Sequence, residues 1–113
     1  MKFEEKNIGI LGLGKSGYWS AKLAKSLKNN VFVSDSNTNV NEMFVDDLKM
    51  LGIDVEIGIH SNQILESDLI IKSPGIPNDS DIMNRISSEK IPVISEIEFA
   101  GNHSKTKNIC ITG

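Results

Sequence analysis

Ile8-Gly9-Ile10-Leu11-Gly12-Leu13-Gly14-Lys15-Ser16-Gly17 is the stretch on which the fold turns. A short apolar run ends in a loop spaced G-x-G-x-x-G, and an amphipathic stretch follows it. In such a loop Gly12 permits the tight turn, Gly14 lets backbone approach a phosphate, and Gly17 lets the helix close on the sheet. The unpaired N–H groups and positive dipole end of the new helix then favour an anion. The spacing alone is a weak signal. A strand before it, a helix after it and an acid at the end of the next strand strengthen it. Asp35, at the end of Val31-Phe32-Val33-Ser34, is that acid, placed where such folds hold a ribose or a base. The plainer alternative is that the glycines serve close packing alone.

A second pattern overlaps the first. Gly9 to Ser16 also satisfies G-x-x-x-x-G-K-[ST], the P-loop spacing. A P-loop needs a buried strand before its first glycine, and Lys2 to Ile8 is too charged to supply one. Ile10, Leu11 and Leu13 would also become loop residues, each losing about 1.5–3 kcal/mol of burial. The strand reading of Ile8 to Leu11 is therefore preferred.

Working outward, strands alternate with helices. Ser16 to Leu27 has helical spacing, with Trp19, Leu23 and Leu27 on one stripe and Lys22, Lys25 and Lys28 outside. Phe44, Leu48 and Leu51 mark a second helix that Gly52 caps. Asp54 to Ile57 reads as a weaker strand, Leu69 to Ile71 as a fourth, Asp79 to Lys90 as a helix and Ile91 to Ile94 as a fifth strand. Helical crossovers between strands require parallel pairing. The expectation is α/β: a Rossmann-like, doubly wound parallel sheet of about five strands in three αβα layers.

Composition bounds the rest. The 113 residues suffice for one core, and 39% hydrophobic with 24% charged residues is globular. A net charge of −3 gives no electrostatic reason to expect nucleic acid or an anionic membrane as partner. No apolar run approaches the ~20 residues of a membrane span. Cys110 is the single cysteine, which speaks against a disulfide framework and for a reducing compartment. His60 and His103 stand isolated in polar segments, so no metal site is expected and surface positions are the simpler reading.

Ser73-Pro74-Gly75-Ile76-Pro77 follows the fourth strand. Pro74 then Gly75 suits a type II turn, which would present the Gly75 N–H and Ser73 hydroxyl to the crevice at the strand ends. An ordinary rigid exit turn is the bland alternative. Lys72, at the same strand end, either reaches a phosphate or snorkels to solvent. Glu96 and Glu98 suit the charge preference of a helix start or a contact with a further domain.

Taken together, Ile10 to Gly17, Ile70 to Pro77, Ser95-Glu96-Ile97-Glu98-Phe99 and Ile109-Cys110-Ile111-Thr112-Gly113 resemble, in order and spacing, the opening domain of the Mur ligases of peptidoglycan synthesis. The resemblance implies a domain that holds the UDP part of UDP-N-acetylmuramoyl-L-alanine. Carried over, Gly14, Lys15, Ser16 and Gly17 with Ser73, Pro74 and Gly75 would contact the diphosphate. Asp35, Ser36 and Asn37 would meet the uracil and its ribose, with Asn37 where some relatives carry an arginine. It further implies a cytoplasmic enzyme that uses ATP and Mg²⁺ to join D-glutamate to the substrate. Thr112 and Gly113 would begin its ATP loop, so this stretch alone would hold no catalytic residue and no cofactor. The domain would then end near residue 100, with 101–113 as connector and first strand of a truncated central domain. A competing class is an NAD(P)-binding domain of an oxidoreductase or redox sensor. The glycine loop and Asp35 suit both, since either ligand offers a diphosphate and a ribose.

Overall fold

The computed structural model describes the backbone of residues 6–105 and the side chains of residues 6–101. Five strands form one wholly parallel sheet: β1 (Asn7–Leu11), β2 (Asn30–Asp35), β3 (Asp54–Ile57), β4 (Leu69–Lys72) and β5 (Val93–Ser95). They lie in the order β3-β2-β1-β4-β5. The helices are α1 (Lys15–Ser26), α2 (Glu42–Met50), α3 (Asp81–Ser88) and α4 (Glu96–Lys105), with a short 3-10 helix at Asn62–Glu66.

The expected doubly wound α/β fold is what forms. β1 is central, with Ile10 in register with Val33 of β2 and Ile71 of β4, all three fully buried. Two apolar layers sandwich the sheet. On one face Ile8, Ile10, Val33 and Ile71 meet Ala21 and Ala24 of α1, Leu48 of α2 and Phe99 of α4. On the other, Leu11 and Ile70 meet Ile64 of the 3-10 helix and Ile82 and Ile86 of α3. Ile8 to Leu11 thus belongs to a strand, and the P-loop spacing that begins at Gly9 is incidental.

Helix α1 departs from expectation in the face it buries. Gly17, Ser20, Ala21 and Ala24 lie against the sheet, while Trp19 is 55% exposed. Small residues win because the helix sits close. A Cβ on Gly17 would fall far inside contact distance of the Gly12 carbonyl oxygen. The larger side chains of α1 instead make a lateral seam. The Tyr18 ring stacks on Phe44 of α2 with centroids 4.2 Å apart, and its hydroxyl donates to Asp47. Lys22 lies over both the Tyr18 and Trp19 rings.

Helix ends follow local rules. The Ile53 N–H donates to the Leu48 carbonyl around Gly52, as the expected cap requires. Lys90 plays the same part after α3, with φ 58° and the Ile91 N–H donating to the Ile86 carbonyl. Helix α4 falls outside the elements that periodicity predicts. The Ser95 hydroxyl accepts from the Glu98 N–H, and Glu96 and Glu98 occupy the first turn, as their charge favours. The polar stretch beginning at Gly101 therefore continues this helix through Lys105, so a boundary near residue 100 falls inside α4. Cys110, Thr112 and Gly113 lie outside the described residues.

The contact at Gly17 makes a direct test. Gly17→Ala should cost at least about 1–3 kcal/mol by overpacking against rigid backbone. Gly14→Ala should cost far less, because a methyl group there would meet no atom within 4 Å and the φ of −97° suits any residue. Urea unfolding of the two variants separates these outcomes.

Candidate functional site

Because β1 is followed by β2 on one side and β4 on the other, the crossover connections leave in opposite directions at the carboxyl ends of β1 and β4. That topological switch point is where open α/β sheets place ligands. A crevice of about 660 Å³ occupies it. Gly12 and Gly14 line it after β1, Asp35, Ser36 and Asn37 after β2, and Ser73 and Gly75 after β4.

The glycine loop is held from three sides. Gly12, at φ 100°, donates its N–H to the Ser34 carbonyl at 2.9 Å. Leu13 donates to Asp35 Oδ2 at 2.8 Å. Ser73 donates to the Leu11 carbonyl at 2.9 Å, setting the β4 turn beside the loop. Asp35 Oδ1 accepts from the Asn37 N–H at 2.9 Å, so this carboxyl organises both the loop and the exit from β2. Asp35 therefore has a structural role, and does more than stand at the crevice mouth.

Helix α1 opens on the crevice without a side-chain cap and without an acid in its first turn. The N–H groups of that turn lack intrahelical partners. Gly14 has open space beside it, so backbone can meet a ligand there. Cationic side chains contribute little. Arg85 of α3 lines the crevice, but its guanidinium donates to Asn62 Oδ1 and the His60 carbonyl, each at 2.8 Å, and pairs with Asp81 at 3.2 Å. Lys72 Nζ donates to the Ser73 carbonyl at 3.3 Å and does not line the crevice. The arrangement suits an anion recognised by backbone N–H groups.

The expected residues divide. Gly14, Asp35, Ser36, Asn37, Ser73 and Gly75 share the crevice. Lys15, Ser16 and Pro74 line a neighbouring groove walled by Trp19, Leu23 and Ile97, and Gly17 lies on the buried face of α1, against the Gly12 carbonyl. The Ser16 hydroxyl donates to Glu96 Oε1 at 2.5 Å, tying α1 to α4. The turn after β4 also differs from expectation. Ile76 N–H donates to the Ser73 carbonyl at 3.2 Å, closing the turn, but Gly75 does not have the positive φ of type II. Its N–H faces the Ser73 hydroxyl at 3.4 Å instead.

The third wall was missed from sequence. Gly58, Ile59 and His60, following β3, line the crevice. His60 is half-buried rather than a free surface histidine, with Nδ1 2.7 Å from Ser34 Oγ. Burial pushes its pKa down, against Asp35 and Glu56, which favour the charged ring; Arg85 adds to the lowering. Burial also pushes Glu56 up, but hydrogen bonds from Ser61 and Ser34 and the nearby His60 outweigh it and hold the carboxyl below its usual range. The available signal was the spacing of Glu56 and His60 around Gly58, which means nothing until Ser34 is placed beside them. No cluster of metal-ligating side chains occurs among the described residues, and none of their helices is long and apolar enough to cross a membrane.

Comparison with known proteins gives a consistent family. The MurD N-terminal domain profile matches residues 7–82. A UDP-N-acetylmuramoylalanine--D-glutamate ligase of Bacteroides fragilis is 45% identical over 96% of this chain, and the chain spans 24% of that relative. The corresponding ligase of Cytophaga hutchinsonii is 48% identical, again with 96% of this chain and 24% of the relative covered. Among solved structures, UDP-N-acetylmuramate-alanine ligase MurC of Thermotoga maritima superposes with a TM-score of 0.74 at 25% identity, over 89% of this chain and 23% of that one. The chain thus spans about a quarter of the length of the curated relatives it matches.

Two measurements follow from the site. Asp35→Ala removes the acceptor for two backbone N–H groups and should destabilise the ligand-free protein by about 1–3 kcal/mol in urea unfolding. Acidification should remove stability in two stages. His60 takes up its proton at a lower pH folded than unfolded, so stability is whole above about 6.5 and declines as pH falls from there. Glu56 stays ionised below its ordinary 4.5 when folded, so a second decline begins near that pH. His60→Gln should abolish the first stage and spare the second.

Proposed function

This chain belongs to the MurD N-terminal domain family, and from that premise we propose that its crevice holds the UDP part of UDP-N-acetylmuramoyl-L-alanine. The observation that carries the reading is the open approach at Gly14, beside the uncapped start of α1, at the switch point of the sheet. A diphosphate, whose oxygens accept hydrogen bonds, is a ligand group well suited to such backbone N–H donors. Gly14 to Gly17 would hold the diphosphate through backbone, with the Ser73-Pro74-Gly75 turn opposite. Asp35, Ser36 and Asn37 would meet the ribose and uracil. The Asp35 oxygens already accept one N–H bond each, and a carboxylate retains lone pairs for a further donor.

In the whole enzyme this domain anchors the substrate while the chemistry occurs elsewhere. The parent protein would be a cytoplasmic ligase in which ATP, with Mg²⁺, activates the alanyl carboxylate as an acyl phosphate. The amine of D-glutamate then attacks that carbonyl, forming the amide and releasing phosphate. Thr112 and Gly113 would open the ATP loop of the next domain. The chain's own residues bind and orient, and none of the described ones is assigned a catalytic step.

Titration calorimetry tests the reading directly. UDP and UDP-N-acetylmuramoyl-L-alanine should bind in preference to NAD⁺ and NADP⁺. Gly14→Ala should keep the fold yet weaken UDP binding by about tenfold or more, equivalent to about 1.4 kcal/mol. Tighter binding of NAD⁺ than of UDP would transfer the crevice to the dinucleotide class.

A further inference from the structure

Ser34 Oγ is fully buried and lies 2.8 Å from Glu56 Oε2, 2.7 Å from His60 Nδ1 and 3.3 Å from the Ile59 carbonyl. One hydroxyl hydrogen must serve this group. Two oxygens 2.8 Å apart need a proton between them, and the Glu56 carboxyl, held below its usual range, is an acceptor alone. The hydrogen therefore comes from Ser34. Its remaining lone pairs then face His60 Nδ1, and a contact of 2.7 Å is favourable only if Nδ1 carries the ring hydrogen. The chain runs His60 Nδ1–H to Ser34 O–H to Glu56 Oε2. His60 Nε2 is left as a bare acceptor, with no partner among the described residues.

The frame is fixed from both ends. The Ser61 N–H donates to the same Glu56 oxygen at 2.9 Å, and Arg85 donates to the His60 carbonyl at 2.8 Å. The Gly58 N–H donates to the Asp35 carbonyl at 2.8 Å, joining this wall to the end of β2. Along the crevice the order is the glycine loop after β1, Asp35 to Asn37 after β2 and Gly58 to His60 after β3. A nucleoside diphosphate with its diphosphate on the loop then extends its nucleoside toward β3.

We propose that His60 is a specificity-determining residue of the crevice, its Nε2 accepting a hydrogen bond from a donor at the nucleoside end of the ligand. The donor is the imide N–H of a uracil ring or a ribose hydroxyl, and Ser34 and Glu56 are positioning residues that set the tautomer. This rests on the nucleoside diphosphate reading of the crevice.

The tautomer is read without ligand, from long-range ¹H–¹⁵N spectra of the histidine-labelled chain at neutral pH. His60 should carry its hydrogen on Nδ1, and Ser34→Ala should release it toward the Nε2–H form. Binding is read by calorimetry with UDP, CDP and 2′,3′-dideoxy-UDP, on the unaltered chain and on folded His60→Phe and Ser34→Ala. Both variants should bind UDP about three- to tenfold more weakly, the worth of one neutral hydrogen bond. Loss of discrimination against CDP in His60→Phe identifies the imide as donor, and loss of discrimination against the dideoxy ligand identifies the ribose. An Nε2–H tautomer in the unaltered chain, or unchanged UDP affinity in His60→Phe, overturns the proposal while leaving the nucleotide reading intact. If the unaltered chain binds no UDP, the nucleotide reading fails and the proposal fails with it, whatever tautomer the spectra show.

Discussion

The approach of α1 to the loop that precedes it governs this domain. At Gly17 the helix passes so near the Gly12 carbonyl that no side-chain atom fits between them. That closeness selects Ser20, Ala21 and Ala24 for the buried face and expels Trp19 to the surface. It also brings Ser16 within hydrogen-bonding reach of Glu96, so α4 docks against α1 and delivers Phe99 into the core. A helix set further out would lose both the packing and the crevice, since its first turn would no longer stand over the end of β1.

The crevice is built largely from groups that also hold the fold. Asp35 pins the glycine loop, the Ser73 N–H pins the β4 turn, and Arg85 pins the segment after β3. Arg85, which lines the crevice, is paired to Asp81, and Asp35 accepts from backbone N–H groups rather than from a cation. For the nucleotide proposed above, recognition of the diphosphate would then fall on backbone N–H groups, whose direction is fixed by the fold and whose supply does not depend on side-chain conformation.

Much of this was legible in the sequence. Runs such as Ile8 to Leu11 and Leu69 to Ile71 are too short and too uniformly apolar for surface helices, and Gly12 directly after the first and Pro74-Gly75 shortly after the second mark the turns that follow. The loop, Asp35 and the Ser73 turn share one end of the sheet because parallel topology leaves them no other place. What escaped depended on distance in space. Helical periodicity assigned Trp19 a buried stripe, but size exclusion at Gly17 decided which face went in. Pro74-Gly75 suggested a type II turn, and the Ser73 hydroxyl holds another conformation. His60 looked isolated because its partners, Ser34 and Glu56, lie on two different strands. Helix α4 was hidden by Gly101 and the polar residues after it, although Ser95 caps it locally.

The central position of β1 also has a kinetic meaning. Its two edges are satisfied at different times: Ile8 pairs with Val31 of the next strand on one side, and with Leu69, far along the chain, on the other. During synthesis this strongly apolar strand leaves the ribosome well before β4 and waits for it with an open edge. Closing so long a loop is entropically slow, and sheets of this connectivity fold later than helical domains of equal size. In that interval the Ile8 to Leu11 edge is exposed to other chains, so the burden of escaping aggregation falls on the early β1–α1–β2 unit, which alone can shield one side of it.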